Sequence, residues 1–303
     1  MQPKIHIIGA PSAWGAKHRG SEFGPAALYE AGLLERAKAL GYNCVRVDDV
    51  LPLRSSREIN PPVSLANIEF VGPHCHALAS VVDHCLEEGA FPAVLGGDHS
   101  IAIGTWSGVT KALDAAGHFG LIWLDAHLDG HTPETTPSES YHGMALAALL
   151  GHGDASLVSI GVPSAKIAPQ HVTLIGARDY EQEELDLLKR LGVRIVFMKE
   201  LRERGFKVVL EEALICASTG TAGFGVSFDV DFFDAEAVPG TGTPVGGGLH
   251  AKDVLPHLSL IAEHPDYKAF EIVEYNPELD LEGKTAKLTL ELVEALLPRM
   301  PQL

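Results

Sequence analysis

Basic charge is scarce in this 303-residue sequence: 23 Lys and Arg stand against 40 Asp and Glu, a formal net charge of −17. Nucleic-acid binding draws its affinity from clustered Lys and Arg, so this balance argues against a nucleic-acid partner. Acidic membrane surfaces are disfavoured for the same reason. Cysteine is scarce too. Cys44, Cys75, Cys85 and Cys216 are scattered and form no Cys-x-x-Cys pair, which reads as reduced thiols rather than a disulfide framework. The apolar run after Lys4 is broken by Gly9 and Pro11, so it is neither a signal-peptide core nor a membrane span. A cytoplasmic protein is expected. No linker rich in Ser and Gly and no repeat of fixed period divides the chain, so one domain is expected over residues 1–303.

Against these absences stands a composition able to build a core, 46% hydrophobic and 21% charged. Short apolar runs alternate with helical patterns. Strands are expected at Lys4–Ile8, Asn43–Val47, Pro92–Leu95, Leu121–Leu124, Val172–Ile175, Arg194–Phe197, Gly225–Phe228 and Lys268–Val273. Helices are expected from Gly24-Pro25 to about Leu40, and over His74–Glu88, Ile101–Ala116, Met144–Leu150, Gln182–Leu191, Phe206–Ala217, Ala251–Ala262 and Thr285–Leu297. This alternation specifies an α/β protein, a mainly parallel sheet covered by helices on both faces. Ligands of such sheets sit beyond the carboxyl ends of the strands.

Three expected strand ends carry chemistry. Val94-Leu95 runs into Gly96-Gly97-Asp98-His99-Ser100, Leu124 into Asp125-Ala126-His127-Leu128-Asp129, and Phe228 into Asp229-Val230-Asp231. Each taken alone is most simply the cap of a following helix. Together they bring four carboxylates and two imidazoles to one rim, where Asp side chains repel one another and lose hydration unless cations neutralise them. Two divalent ions match four Asp in charge. Mixed carboxylate and imidazole donors suit Mn²⁺, although the general affinity order favours Ni²⁺, Cu²⁺ or Zn²⁺.

GGDHS at 96–100, DAHLD at 125–129, SFDVDFFD at 227–234 with PGTGTPVGGGL at 239–249, and EIVEYNP at 271–277 resemble the arginase/agmatinase (ureohydrolase) family. The resemblance runs from IIGAPSAWG at 7–15 to the last strand. It implies a three-layer α/β/α arginase-like fold, two Mn²⁺ per subunit, and hydrolysis of a guanidino compound to urea and an amine by a hydroxide bridging the metals. Carried over by position, His99, Asp125, Asp129 and Asp229 would hold one ion, and Asp125, His127, Asp229 and Asp231 the other. Asp129 thus belongs to the catalytic set, with His142 as proton shuttle and Glu274 as the carboxylate that holds the guanidinium through paired N–H bonds. Thr243 matches a threonine lining the family's pocket. Glu271, three residues before Glu274, points to the other face by parity and is expected in a structural ion pair. The family also implies a homo-oligomer, a trimer or hexamer.

The loop 130–142 has the length found in arginases and ends in His142-Gly143-Met144, so L-arginine, giving L-ornithine, is the first choice of substrate. Ser138 matches a residue binding the amino-acid head group, and Asp179 one holding the α-ammonium. His131 and Ser140 stand where arginases carry Asn at head-group contacts. Those departures keep agmatine, another guanidino acid, N-hydroxyarginine and guanidine itself open as substrates. Deacetylases of related fold use one zinc and have no task for His99, Asp129 and Asp231 together. A non-catalytic protein of this fold predicts lost ligands, and none is lost. His74-Cys75-His76 with His84-Cys85 suggests zinc at first sight, but these residues fall in a helix-periodic stretch with no standard zinc spacing, and core cysteines with surface histidines are expected there.

Overall fold

The computed structural model describes residues 4–54 and 62–299. Among them eight strands form one sheet: β1 (Lys4–Ala10), β2 (Asn43–Arg46), β3 (Phe91–Gly96), β4 (Gly120–Leu124), β5 (Val172–Ala177), β6 (Arg194–Phe197), β7 (Phe224–Asp229) and β8 (Tyr267–Val273). Their spatial order is β2-β1-β3-β8-β7-β4-β5-β6, and every pair is parallel. The central strands are buried along their whole length, as a sheet covered on both faces requires. Side-chain alternation sends Ile7, Leu95 and Leu124 into one core and Ile8, Val94 and Trp123 into the other.

The first helices are α1 (Gly24–Glu30), α2 (Leu33–Ala39), α3 (Ile68–Glu87), α4 (Ala102–Leu113), α5 (Ala145–Leu149) and α6 (Ala155–Val158). They are followed by α7 (Gln182–Leu191), α8 (Met198–Arg204), α9 (Phe206–Ser218), α10 (Ala251–Val254), α11 (Ser259–Ala262) and α12 (Lys284–Leu296). Leu28 of α1, Leu210 of α9 and Val293 of α12 pack into the first core. Leu78 of α3, Trp106 of α4 and Leu188 of α7 pack into the second, which completes three layers. None of these helices is long and apolar enough to cross a membrane.

Several expected helices change at Gly and Pro. The helix from Gly24 is two helices, because Gly32 adopts the left-handed conformation at φ 86°. The helix over 251–262 is likewise interrupted, by a 3₁₀ turn at Leu255–His257 that contains Pro256. Conversely, α3 begins at Ile68 and accepts Pro73 in its interior. Proline costs a helix one N–H bond, but α3 is clamped by α4 at very short range. A Cβ on Gly104 would lie 2.6 Å from the Cys75 carbonyl oxygen, and one on Gly108 2.4 Å from that of Ala79. The sequence reading had no counterpart for α6 or α8.

Two pairs of strands far apart in sequence, β3 with β4 and β7 with β8, interleave in the order β3-β8-β7-β4 at the middle of the sheet. Register brings their ends level: Leu95 faces Ile272, Ile272 faces Phe228, and Phe228 faces Leu124. The segments that follow these ends therefore meet at one rim.

Candidate metal centre

His99 follows β3, Asp125, His127 and Asp129 follow β4, and Asp229 and Asp231 end and follow β7. Backbone bonds fix the loops: the Asp125 N–H reaches the Ile175 carbonyl, and the Asp125 carboxylate accepts from the His127 N–H at 2.7 Å. In the same way Asp229 Oδ1 accepts from the Asp231 N–H at 2.8 Å and Asp231 Oδ1 from the Ala126 N–H at 3.2 Å. Asp125 and Asp229 thus cap their own turns, and Asp231 ties its loop to the one after β4.

The remaining donors fall into two adjoining groups, one of His99, Asp125 and Asp229 and one of Asp125, His127 and Asp231, with Asp125 common to both. His99 Nδ1 lies 3.1 Å from Asp125, 2.9 Å from Asp129 and 3.3 Å from Asp229. His127 Nδ1 lies 3.1 Å from Asp231 Oδ2 and 3.4 Å from Asp125 Oδ1. His99 Nδ1 and Asp129 Oδ2 are buried without a hydrogen-bond partner despite their proximity, because they are not aligned for a hydrogen bond. Orphaned buried donors of this kind fit a cation rather than a capping role. All six residues expected as ligands are brought together.

Without cations, the charge of the group is carried by protons. Burial opposes the imidazolium of His99 and His127, but the facing carboxylates outweigh it and raise both well above the ordinary histidine range. Burial, then the charge of Asp125, lifts Asp129 to about 6, and burial with Asp231 and Asp125 raises Asp229 further.

Glu274 sits just past β8 with φ at 66°, and Asp129 has φ at 50°. Left-handed backbone in residues with a Cβ is strained and persists where the surroundings impose it. At Glu274 the N–H bond to the Gly97 carbonyl at 2.8 Å does so. Its Oε1 accepts from the His99 N–H at 2.8 Å and lies 3.0 Å from His142 Nδ1. Burial disfavours a charged His142, but the bond to Glu274 and the charges of Glu274, Asp98 and Asp129 prevail and raise it to about 8. His142 itself is carried by a 3₁₀ turn at Tyr141–Met144, pinned by its N–H to the Gly15 carbonyl.

Behind the rim the structure corrects the expectation for Glu271. It meets no cation. Its Oε1 accepts from Trp106 Nε1 at 2.5 Å and from Ser227 Oγ at 2.7 Å, and Ser227 Oγ lies 2.8 Å from His99 Nε2. The chain Glu271–Ser227–His99 fixes the orientation of the imidazole whose Nδ1 faces the carboxylates. Thr243 also reaches the centre, its hydroxyl donating to Asp231 Oδ2 at 3.2 Å.

A cavity of about 230 Å³ opens onto this rim, and His131, Ser138, Ser140, Asp179 and Thr243 all line it with His142. Asp179 is exposed and lies 3.8 Å from His127. The groups that meet His131 are others. Its Nε2 lies 3.1 Å from Glu181 and 3.8 Å from Glu184, and its Nδ1 lies 3.1 Å from Thr135 Oγ1. Glu181 and Glu184 form the capping box of α7 and at the same time line the cavity wall. Burial pushes Glu184 up to about 8. Arg178 was missed in the sequence. Its guanidinium donates to the carbonyls of Asp231, Phe233 and Val245, tying the loop after β7 to the segment bearing Thr243.

In the helix α3, Cys75 and Cys85 are buried and His76 and His84 exposed, as expected. His74 departs from that reading. It is buried with neither ring nitrogen bonded, and burial lowers it to about 4.

A parallel α/β sheet whose three central strand ends, of β3, β4 and β7, gather these donors into two groups sharing a carboxylate defines a class, the metalloenzymes with a binuclear divalent-metal centre. The sequence profile of the Arginase family matches residues 3–298. An arginase of Bacillus caldovelox is 40% identical over 298 residues, covering 98% of both chains. The solved structure of the Bacillus cereus arginase superposes with a TM-score of 0.90 at 38% identity, over 99% of this chain and 100% of the other. An Entamoeba histolytica arginase determined in complex with L-ornithine superposes at 0.89 with 30% identity, over 98% and 99% of the two chains. The chain belongs to the arginase family and is a ureohydrolase.

Proposed function

We propose that the protein hydrolyses L-arginine to L-ornithine and urea, with two Mn²⁺ ions held by His99, Asp125, His127, Asp129, Asp229 and Asp231. The observation that carries this reading is the pairing of two donor groups, which open onto one cavity through His99, His127, Asp129 and Asp229, with His142 of the same cavity and the Glu274 carboxylate bonded to it. When bound, the two cations supply the positive charge that turns a water molecule into a nucleophile near neutral pH.

The side chains do the rest. Glu274 uses Oε1 for its protein contacts, and its second oxygen is available to accept from the guanidinium and so orient the carbon to be attacked. The same carboxylate favours the protonated form of His142, which suits the imidazole to deliver a proton to the departing amine. Thr243 orients Asp231 through its hydroxyl. Ser138 and Ser140 offer hydroxyls, and Glu181, Glu184 and Asp179 carboxylates, to the amino-acid end of the substrate. The wider reading is of one domain spanning residues 1–303, cytoplasmic and assembled as a trimer or hexamer, which light scattering would test.

The test is urea release by purified protein loaded with Mn²⁺, and separately with Ni²⁺, from L-arginine, agmatine, guanidinobutyrate, guanidinopropionate and guanidine. L-Arginine is expected to be the preferred substrate. A protein that binds two ions and releases no urea from any of the five would refute the reading.

A further inference from the structure

We infer that Lys17 is the specificity-determining residue of the cavity, the cation that receives the substrate's carboxylate and repels analogues carrying an amine alone. This rests on the reading of the protein as an enzyme acting on L-arginine.

The cavity wall is strongly acidic. Asp129 and Asp229 belong to the metal centre, but Asp179, Glu181 and Glu184 remain beyond it, and Lys17 is the one ammonium or guanidinium group among the lining residues. An amino acid entering with its carboxylate outermost meets three carboxylates and needs a counter-charge. His131 cannot give a free ring nitrogen, since Nδ1 is committed to Thr135 and Nε2 to Glu181. The hydroxyls of Ser138 and Ser140 can hydrogen-bond the carboxylate but are neutral and supply no counter-charge.

Lys17 is exposed and makes no hydrogen bond or ion pair with any described residue. Its backbone, by contrast, is fixed on both sides. The Gly15 N–H donates to Asp98 Oδ2 at 3.0 Å, the Gly15 carbonyl accepts from the His142 N–H at 3.1 Å, and the Arg19 carbonyl accepts from Asn276 Nδ2 at 2.9 Å. A segment anchored to the residues of the reaction floor therefore holds a free ammonium at the cavity wall. An ammonium on a flexible stem is a compact point charge, suited to a carboxylate held near the surface. It also builds in a repulsive element: agmatine places its own ammonium where arginine has a carboxylate and an ammonium together.

The experiment compares the metal-loaded protein with its Lys17→Met and Lys17→Glu variants. Two readouts are taken, urea release from L-arginine and calorimetric binding of L-arginine, agmatine and 5-guanidinopentanoate, which keeps the carboxylate without the amine. Lys17→Met is expected to raise the KM for arginine about fivefold, the scale of an exposed charge pair, with kcat within about twofold of the unaltered protein. Binding of 5-guanidinopentanoate should weaken alongside, and agmatine binding should hold or tighten, most of all in Lys17→Glu. The difference should shrink in high salt. Equal changes for arginine and agmatine, or none for either, overturn the inference. Absence of urea with carboxylate-selective binding still lost in Lys17→Met would remove the proposed activity and leave the role of Lys17 standing.

Discussion

The most consequential single contact is the 3.0 Å bond between His142 Nδ1 and Glu274. His142 stands at about 8 only because Glu274, with Asp98 and Asp129, outweighs the effect of burial. Glu274→Gln removes that charge, and burial then acts less opposed. In the metal-free protein the His142 resonance is expected to titrate near 8, and to move down in the variant, where Asp98 and Asp129 alone oppose burial. The sign for stability follows. A histidine raised in the folded state contributes stability that is fully present below about pH 6.5 and lost as pH rises through about 8. The variant should lose that contribution at pH 6 and show little difference at pH 9. An unchanged titration midpoint would show that Glu274 does not set the charge of His142. At this scale, residues with their own motif were legible in the sequence: Asp125, His127 and Asp129, and Asp229 and Asp231, stand out by alternation at strand ends, whereas His99 after its two glycines is a weak signal until joined to them. Glu271 is expected in an ion pair and is found in hydrogen bonds, because parity gives the face of a strand and not what covers it. Ser227 and Trp106, from two other elements, meet it only in three dimensions.

Among elements, the closest approach is between α3 and α4, where two glycines of α4 lie against the backbone of α3. Gly108→Ala would put a Cβ 2.4 Å from the Ala79 carbonyl oxygen, so the helices must separate, and a cost of about 2 kcal/mol is expected. Gly72, within α3, has nothing within 4 Å of where a Cβ would stand. There alanine only removes glycine's poor helix propensity, and Gly72→Ala is expected to stabilise by about 0.8 kcal/mol. Urea denaturation of the two variants should give shifts of opposite sign; equal signs would show that the helix contact is slack. Gly72 and Pro73 also explain why the sequence understated α3. Local propensity places a helix start after the proline, whereas packing against α4 recruits the residues before it. At Gly32 and Pro256 the error ran the other way, since an apolar period continued across a break that the backbone could not avoid. The strands were easier, because a fully buried parallel strand leaves an unbroken apolar run. Their order was not legible. That β3, β8, β7 and β4 are neighbours is a fact of topology, and it alone turns four separate loops into one site.

At the scale of the whole molecule, the formal charge of −17 combines an acidic exterior with four aspartates buried at the sheet's rim. In the metal-free protein, protons compensate those carboxylates. Burial and Asp125 lift Asp129 to about 6, and Asp229 and both imidazoles are raised as well. Asp125 is the exception: burial would raise it, but its bonds to His127 and His99 prevail and hold it below the ordinary carboxylate range, so it stays ionised; each raised group means that the folded metal-free protein binds more protons there than the unfolded chain. By linkage its stability must therefore fall as pH rises through the raised values, Asp129 contributing from about 4 to about 6. Cations act in the opposite sense. They require deprotonated ligands, so their affinity rises over the same range, and at a thousandfold excess over the dissociation constant a bound ion stabilises by about 4 kcal/mol. The two trends diverge. Thermal unfolding with Mn²⁺ and with a chelator should therefore differ little at pH 5 and strongly at pH 8, with the metal-free curve moving down as the metal-loaded one moves up. Proton release on adding Mn²⁺ to unbuffered protein near pH 6 should accompany the change. A gap of the same size at both pH values would mean that protons and metal do not share these carboxylates. The four buried aspartates would then be neutral or paired by some other means, and the donor groups would have to be redrawn.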